Sequence, residues 1–193
     1  MMLLSFANYW DRRRARLAEF AAETCLSEGD LLRLSEDMVD RRQGVIIPEG
    51  GRKKTGADQI SPLTMTARRI LDEIKAERRS SAMVPNVAGL IFTRDDGSKI
   101  TKGMIDYQVE RAIGLTKVKK FVFHNYRNTA LTEWARRGID VDHAMMASGH
   151  TSVQMHKHYV KLQAHDIANA FGTADRSEIV TEKVTENREA SAR

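Results

Sequence analysis

The spacing of apolar residues predicts helices along most of the chain. Leu17, Phe20 and Ala21 share one face of a first helix, and the turn residues 27–30 separate it from a second helix that contains Leu31 and Leu34. Later helices begin at polar residues that can cap them and end at glycines or polar stretches. They are predicted from Thr64 or Thr66 through Lys75, ending before the polar stretch around Ser80, from Thr101 through Ile113, over 125–137, from Asp140 or Asp142 to Gly149, and from Thr151 or Ser152 through Leu162.

Three short apolar runs have the length and flanking turns of strands instead. Residues 44–48 and 58–63 flank a glycine- and lysine-rich segment, which predicts a hairpin with a basic tip. Residues 90–93 form a buried strand or extended segment that stops at the turn residues 95–97. The predicted fold class is therefore mainly α with a small antiparallel β-sheet or hairpin (α+β).

Length and composition fit one domain with a flexible tail. The chain has 193 residues, 41% hydrophobic and 30% charged, so we expect a globular domain over 1–173 and a polar tail over 174–193. No apolar run approaches the roughly 20 residues that cross a bilayer, and the first residues do not resemble a signal peptide. We expect a cytoplasmic protein with no membrane partner. Cys25 is the only cysteine, which excludes an internal disulfide framework.

Net charge favours a polyanionic partner without proving one. The formal charge is +5, and the acidic tail contributes −1, so the preceding domain carries +6. A basic domain suits binding to nucleic acid, although many basic proteins bind none.

Five residues are candidates for phosphate chemistry. His124 and Arg127 lie one turn apart at a helix start, where backbone donors favour an anion. His150 lies in a loop between two helices, and Tyr159 on the next helix is a candidate nucleophile. Lys54, at the hairpin tip, can reach a phosphate or protonate a leaving oxygen. Each alone also has an ordinary explanation, as a solvated lysine, a helix-start pair, a linker histidine or a core tyrosine.

Taken together, the candidate residues resemble the tyrosine recombinase family, also called phage integrases, over nearly all of residues 15–172. The resemblance is carried by His124-x-x-Arg127, by Gly149-His150 with the histidine twenty-three residues after Arg127, and by Tyr159 nine residues later. Two upstream features are also similar. These are residues 24–32 followed by 42–45, and Lys54-Thr55-Gly56 leading to 60–63.

The resemblance implies a catalytic domain that recombines double-stranded DNA at specific sites, as in integration, and associates with the nucleoid. Tyr159 would attack a DNA phosphate to give a 3′-phosphotyrosyl link, and Arg127 would clamp the non-bridging oxygens. His124 and His150 would assist proton transfer, while Lys54 would serve the leaving 5′-oxygen. No metal and no nucleotide cofactor is expected, and His156 and His158 point to different helix faces, which disfavours a metal site.

Assembly follows from the resemblance as well. Family members act as homo-oligomers, tetramers on DNA that exchange C-terminal segments, and residues 163–171 are the candidate segment here. The simpler alternative is a helix that packs on its own domain.

Two departures from the family pattern matter. The position of the first clamping arginine, counted from Thr24, holds Ser27, for which Arg33, Arg41 and Arg52 are candidate replacements. Family members also carry an N-terminal helical domain, for which this chain has no room, so we expect a catalytic domain alone. The alternatives are an inactive remnant that binds DNA or a protein partner, and a helical structural protein with accidental motif matches.

Overall fold

The computed structural model describes residues 12–49, 59–80, 89–94, 96–116 and 120–170. By its internal contacts the chain divides into a first unit, Met1–Val160, and a second, Lys161–Arg193. The domain boundary predicted after residue 173 lies outside the described residues. Within the described ranges, no helix is both long and apolar enough to cross a bilayer.

The fold is mainly helical, with one small sheet, as predicted from the sequence. The helices are α1 (Arg12–Thr24), α2 (Glu28–Leu31), α3 (Met65–Ser80), α4 (Lys102–Thr116), α5 (Asn125–Arg136), α6 (Val141–Ser148), α7 (Val153–Tyr159) and α8 (Ala164–Ala170). A turn of 3₁₀ helix covers Glu36–Met38. Helix α8 belongs to the second unit, and the others belong to the first.

Helix α1 organises the first unit because it packs against both α3 and α5. Its apolar face, with Leu17 and Phe20, is almost completely buried, and the Phe20 ring meets Phe92 edge-on. Burying a large apolar side chain of this kind contributes about 1.5–3 kcal/mol. Arg16, on the same helix, is buried between two carboxylates of α3, with its Nε 2.9 Å from Glu73 and its Nη1 2.8 Å from Glu77.

The sheet has three two-residue strands in the order β1 (Val39–Asp40), β2 (Val45–Ile46) and β3 (Ser61–Pro62). Both pairings are antiparallel, with Val39 opposite Ile46 and Ile46 opposite Ser61. The predicted antiparallel pairing of the runs at 44–48 and 58–63 is therefore confirmed, whereas the predicted basic tip lies outside the described residues. Strand β1 is an addition, because its two residues give too short a pattern to recognise.

Capping residues fix several helix starts as the sequence predicts. Thr64 accepts a hydrogen bond from the Ala67 backbone before α3, Asp140 caps α6, and Ser152 caps α7. Satisfying these backbone donors is worth about 1 kcal/mol for each cap.

Two helix boundaries differ from the prediction, and of the two alternatives for residues 90–93 the strand does not form. The second helix starts directly after Ser27 and ends at Leu31, because the Ser27 side chain caps it from inside the segment predicted as a turn. Residues 90–93 are buried, with a bend at 91–92, and they make single bridges, Ser35 with Leu90 and Thr93 with Lys99, and no strand. Helix α7 ends at Tyr159, short of Leu162, since Val160 is already extended.

Candidate active site

Tyr159 lies against two of the predicted histidines. Its ring stacks on His150 with the centroids 4.9 Å apart and the planes 24° apart. The His124 ring meets Tyr159 edge-on at 5.5 Å. These three side chains come from the start of α5, the loop after α6 and the last position of α7, so the fold gathers residues that are 35 positions apart in sequence.

Glycine at position 149 determines where His150 goes. Gly149 has φ +64°, a left-handed conformation that favours glycine, and it ends α6. Its N–H donates to Met146, and the N–H of His150 donates to Met145, the paired bonds of a Schellman motif. Ser152 then caps α7, so the His150 loop is held from both sides. Such a short, doubly anchored loop gives the imidazole a defined position.

Among the predicted site residues that the structure describes, Arg127 is the most deeply buried. Its side chain is 2% exposed, and its Nη1 and Nη2 donate to the backbone carbonyls of Cys25 and Ser148, respectively. The Cys25 Sγ in turn contacts the Arg127 carbonyl at 3.8 Å. Arg127 therefore joins the end of α1 to the end of α6, two residues before His150.

Cys25 presents its carbonyl to Arg127 because of its own unusual backbone. It follows the last residue of α1 with φ +57°, the left-handed conformation that helix ends more often assign to glycine or asparagine. A buried cysteine in this conformation has no sequence signal, so its contact with Arg127 was missed.

His156 is a fourth ring at the site, although its sequence context indicates only a disfavoured metal ligand. It lies one turn before Tyr159 on the same face of α7 and is 4% exposed. Its Nδ1 is 3.4 Å from the Nδ1 of His150. Burial, and next the nearby positive charge of Arg127, lower the pKa of His156 below the ordinary value. The helical spacing of His156 and Tyr159 was the available signal.

Ser27, at the position of the expected arginine, is engaged in local structure. Its hydroxyl donates to the Asp30 carboxylate at 2.5 Å and accepts from the Asp30 backbone N–H at 3.2 Å. The other oxygen of Asp30 accepts from Arg33 at 2.7 Å. Of the candidate replacements, Arg33 is thus linked to Ser27 through one carboxylate, whereas Arg41 pairs with Asp72 at 2.8 Å and Arg52 lies outside the described residues.

Lys54 also lies outside the described residues, so its expected position at the site stays a prediction. The described tyrosines differ clearly in their surroundings. Tyr126 is buried among Phe121 and Phe123, and this burial raises its pKa to about 12, which suits a core residue. Tyr107 is exposed on α4. Tyr159 is the described tyrosine that lies beside the histidines.

The chemistry available to this arrangement is proton transfer around a phenol. A phenol ring packed on two imidazoles, in a site that also holds a buried guanidinium, has the donors and acceptors of a nucleophile with its acid–base partners. Within the described ranges, no group of three or more His, Cys, Asp or Glu side chains is arranged to hold a metal ion.

Comparison with solved structures identifies the fold. The XerA recombinase is similar over 89% of this chain and 59% of its own, with a TM-score of 0.69 and 18% identity. The Tn1549 transposon integrase in complex with circular intermediate DNA matches over 88% of this chain and 61% of its own, with a TM-score of 0.66 and 18% identity. A lambda integrase dimer bound to a core site matches over 84% of this chain and 56% of its own, with a TM-score of 0.64 and 17% identity.

The chain spans about three fifths of the length of the XerA recombinase and Tn1549 integrase chains that it matches. The comparison with curated proteins gives no significant match. The model of the phage integrase family matches residues 2–165, which is most of the chain and includes all five predicted site residues. This chain belongs to the phage integrase family.

Proposed function

We propose that the chain is a catalytic domain for site-specific DNA recombination that cleaves and rejoins strands through Tyr159. The observation that carries the proposal is the Tyr159 ring stacked on His150 and edge-on to His124. Family membership supports DNA recombination as the reaction class, and the net charge of +5 suits a DNA partner.

The proposed reaction exchanges one phosphoester for another. The Tyr159 phenol oxygen attacks phosphorus, its bond to phosphorus forms, and the bond from phosphorus to the 5′-oxygen breaks. The phenol proton passes to a histidine of the site, and the 5′-oxygen takes up a proton to leave as a hydroxyl. The 3′-phosphotyrosyl ester keeps the phosphodiester's bond energy, so a 5′-hydroxyl can reverse the step without an energy source.

Tyr159 must move for this reaction, and its position favours that motion. The phenol ring covers His150, which is 5% exposed, so the displacement that brings Tyr159 to a phosphate also uncovers the imidazole. Since Tyr159 is the last residue of α7, it can shift without breaking interior helical hydrogen bonds. His150 then donates to a phosphate oxygen, and His124 accepts the phenol proton.

The cations have different parts in the proposal. Arg127 contributes positive charge from behind the histidines, and direct clamping of phosphate oxygens requires its buried guanidinium to become accessible. Lys54 on the β2–β3 connection protonates the leaving 5′-oxygen. Residues 163–171 supply the contact between protomers in a tetramer on DNA.

A second function is favoured by one observation. The Ser27 hydroxyl bonds to the Asp30 carboxylate at the position where the family resemblance implies a phosphate-clamping arginine, and a carboxylate repels a phosphate. A chain with this defect is a DNA-binding or partner-binding remnant that retains the fold without cleaving DNA.

Trapping on nicked DNA distinguishes these functions. Loss of a short fragment from a nicked substrate prevents religation, so a cleaving protein accumulates as a covalent adduct on a denaturing gel. The substrate is a pool made from the DNA that flanks the gene, with wild type, Tyr159→Phe and Tyr107→Phe run side by side. Tyr107→Phe is the matched control because it removes a phenolic hydroxyl from an exposed position on α4.

We expect an adduct for wild type and Tyr107→Phe and none for Tyr159→Phe, with DNA binding unchanged in all three. An adduct that persists in Tyr159→Phe refutes Tyr159 as the nucleophile. No adduct from any protein, together with binding that weakens as salt rises, supports the binding remnant.

A further inference from the structure

The pair formed by His150 and His156 is unusual because the two rings face each other through the same kind of atom. Their Nδ1 atoms are 3.4 Å apart, and the ring planes meet at 68°. A hydrogen bond between two such nitrogens needs one proton in total, so one ring must donate and the other must accept. Two protonated Nδ1 atoms would repel each other.

The surroundings keep His156 neutral. It is almost fully buried beside the Arg127 cation, and protonating it would place two positive charges together away from water. On its other side the pair is bounded by Tyr159, which stacks on His150, and His124 lies beyond that phenol. A neutral His156 has one N–H, and the ring nitrogen that carries this proton determines whether His150 accepts or donates at its Nδ1.

We propose that His156 is a positioning residue that donates its Nδ1 proton to the Nδ1 of His150 and so holds the His150 proton on Nε2. This inference rests on the function proposed for His150 in DNA cleavage. The two imidazole nitrogens lie on opposite edges of the ring, so a bond at Nδ1 turns the Nε2–H away from His156. His150 is thereby set as a donor to a phosphate oxygen before DNA binds.

The arrangement explains why a histidine occupies position 156. An apolar residue would fill the space but could not donate a proton to the His150 Nδ1. Without a donor at position 156, the buried Nδ1 of His150 would also lose this hydrogen bond, which is unfavourable. The long 3.4 Å separation is consistent with a site whose hydrogen bonds shorten when substrate is present.

The first test reads the tautomer directly and needs no DNA. Long-range ¹H–¹⁵N spectra of the free protein, recorded well above the usual histidine pKa of about 6.5, report which nitrogen of each imidazole carries the proton. We compare wild type with His156→Leu, which has no donor, and His156→Asn, whose amide nitrogen lies near the position of Nδ1. His143→Asn is the matched control because His143 is exposed on α6 and pairs with Asp140.

We expect a single Nε2–H tautomer for His150 in wild type, His143→Asn and His156→Asn, and a mixture in His156→Leu. A wild-type His150 with its proton on Nδ1 overturns the proposal, as does an unchanged spectrum in folded His156→Leu. If the leucine variant does not fold, His156→Asn decides the question, since a tautomer mixture in that variant contradicts donation from position 156.

The second test is the single-turnover rate of adduct formation on nicked DNA. His156→Leu should lower this rate by on the order of tenfold or more, and His156→Asn should recover most of it, with DNA binding unchanged. A rate that is equal in wild type and both variants refutes the positioning role. If wild type forms no adduct, the proposed cleavage function fails, while the tautomer spectra still decide whether His156 orients His150.

Discussion

Replacing Arg127 by lysine tests whether the buried guanidinium stabilises the site by joining the end of α1 to the end of α6. The arginine fork spans two backbone carbonyls, at Cys25 and Ser148, from a side chain that is 2% exposed. Lysine keeps the charge, but its compact ammonium cannot reproduce the planar two-pronged geometry. At least one buried carbonyl therefore loses its charged donor.

The magnitude follows from the contacts that are lost. A hydrogen bond to a charged group contributes about 1.5–3 kcal/mol, so we expect Arg127→Lys to reduce the free energy of unfolding by about 2 kcal/mol. Arg127→Met loses both bonds and should reduce it by roughly 3–5 kcal/mol. In a domain of this size 1 kcal/mol changes Tm by roughly 2–4 °C, so Arg127→Lys should lower Tm by about 4–8 °C.

Urea unfolding and thermal melts measure these changes, and Arg137→Lys is the control. Arg137 is exposed just after α5 and pairs with Glu133, so the same replacement there should change stability by less than about 0.5 kcal/mol. If Arg127→Lys is as stable as Arg137→Lys, the two carbonyl contacts contribute little to stability, and Arg127 does not hold the ends of α1 and α6 together. Cleavage lost without any loss of stability would point to phosphate binding as the main role of Arg127.

Two further predictions concern Ser27 and His156. Ser27→Arg should raise the single-turnover cleavage rate by at least about tenfold, and it should lower the free energy of unfolding by about 1 kcal/mol because the α2 cap is lost. Ser27→Ala loses the cap without adding charge, so it should lower stability without raising the cleavage rate. An unchanged rate in Ser27→Arg would indicate that another cation already acts there. The pKa of His156 is lower in the folded chain than in the unfolded chain, so below about pH 6.5 the unfolded chain binds the proton more readily and folding becomes less favourable. In urea unfolding, wild type should therefore lose more stability on acidification than His156→Asn. Equal losses would mean that His156 is not desolvated.

The elements that carry the site were predictable because their signals are local. Gly149 marks the end of α6, Asp140 and Ser152 are recognisable caps, and the apolar spacing of α5 gives its inner face. These signals place His150 in a loop and Tyr159 on the following helix. They do not depend on long-range packing, and the structure confirms them.

The contacts between elements were not predictable, since they depend on which polar side chains the packing buries. Helical spacing puts His156 and Tyr159 on one face, but α7 is polar on most sides and its pattern does not say which face is inside. Arg127 has the sequence context of an exposed helix-start residue, yet it is buried because two carbonyls meet its guanidinium. One of these carbonyls belongs to Cys25, whose left-handed conformation has no sequence signature.

The position of Arg127 explains how the described part of the site is held together with a serine at position 27. Its two carbonyl partners lie two residues before Ser27 and two residues before His150, so one side chain sets both segments. Ser27 is engaged locally with Asp30 and is not among the partners through which Arg127 joins these segments. The arrangement of Tyr159, His124 and His150 is therefore linked to Arg127 and not to residue 27, and a cation introduced at position 27 would meet a site whose described members are already in place.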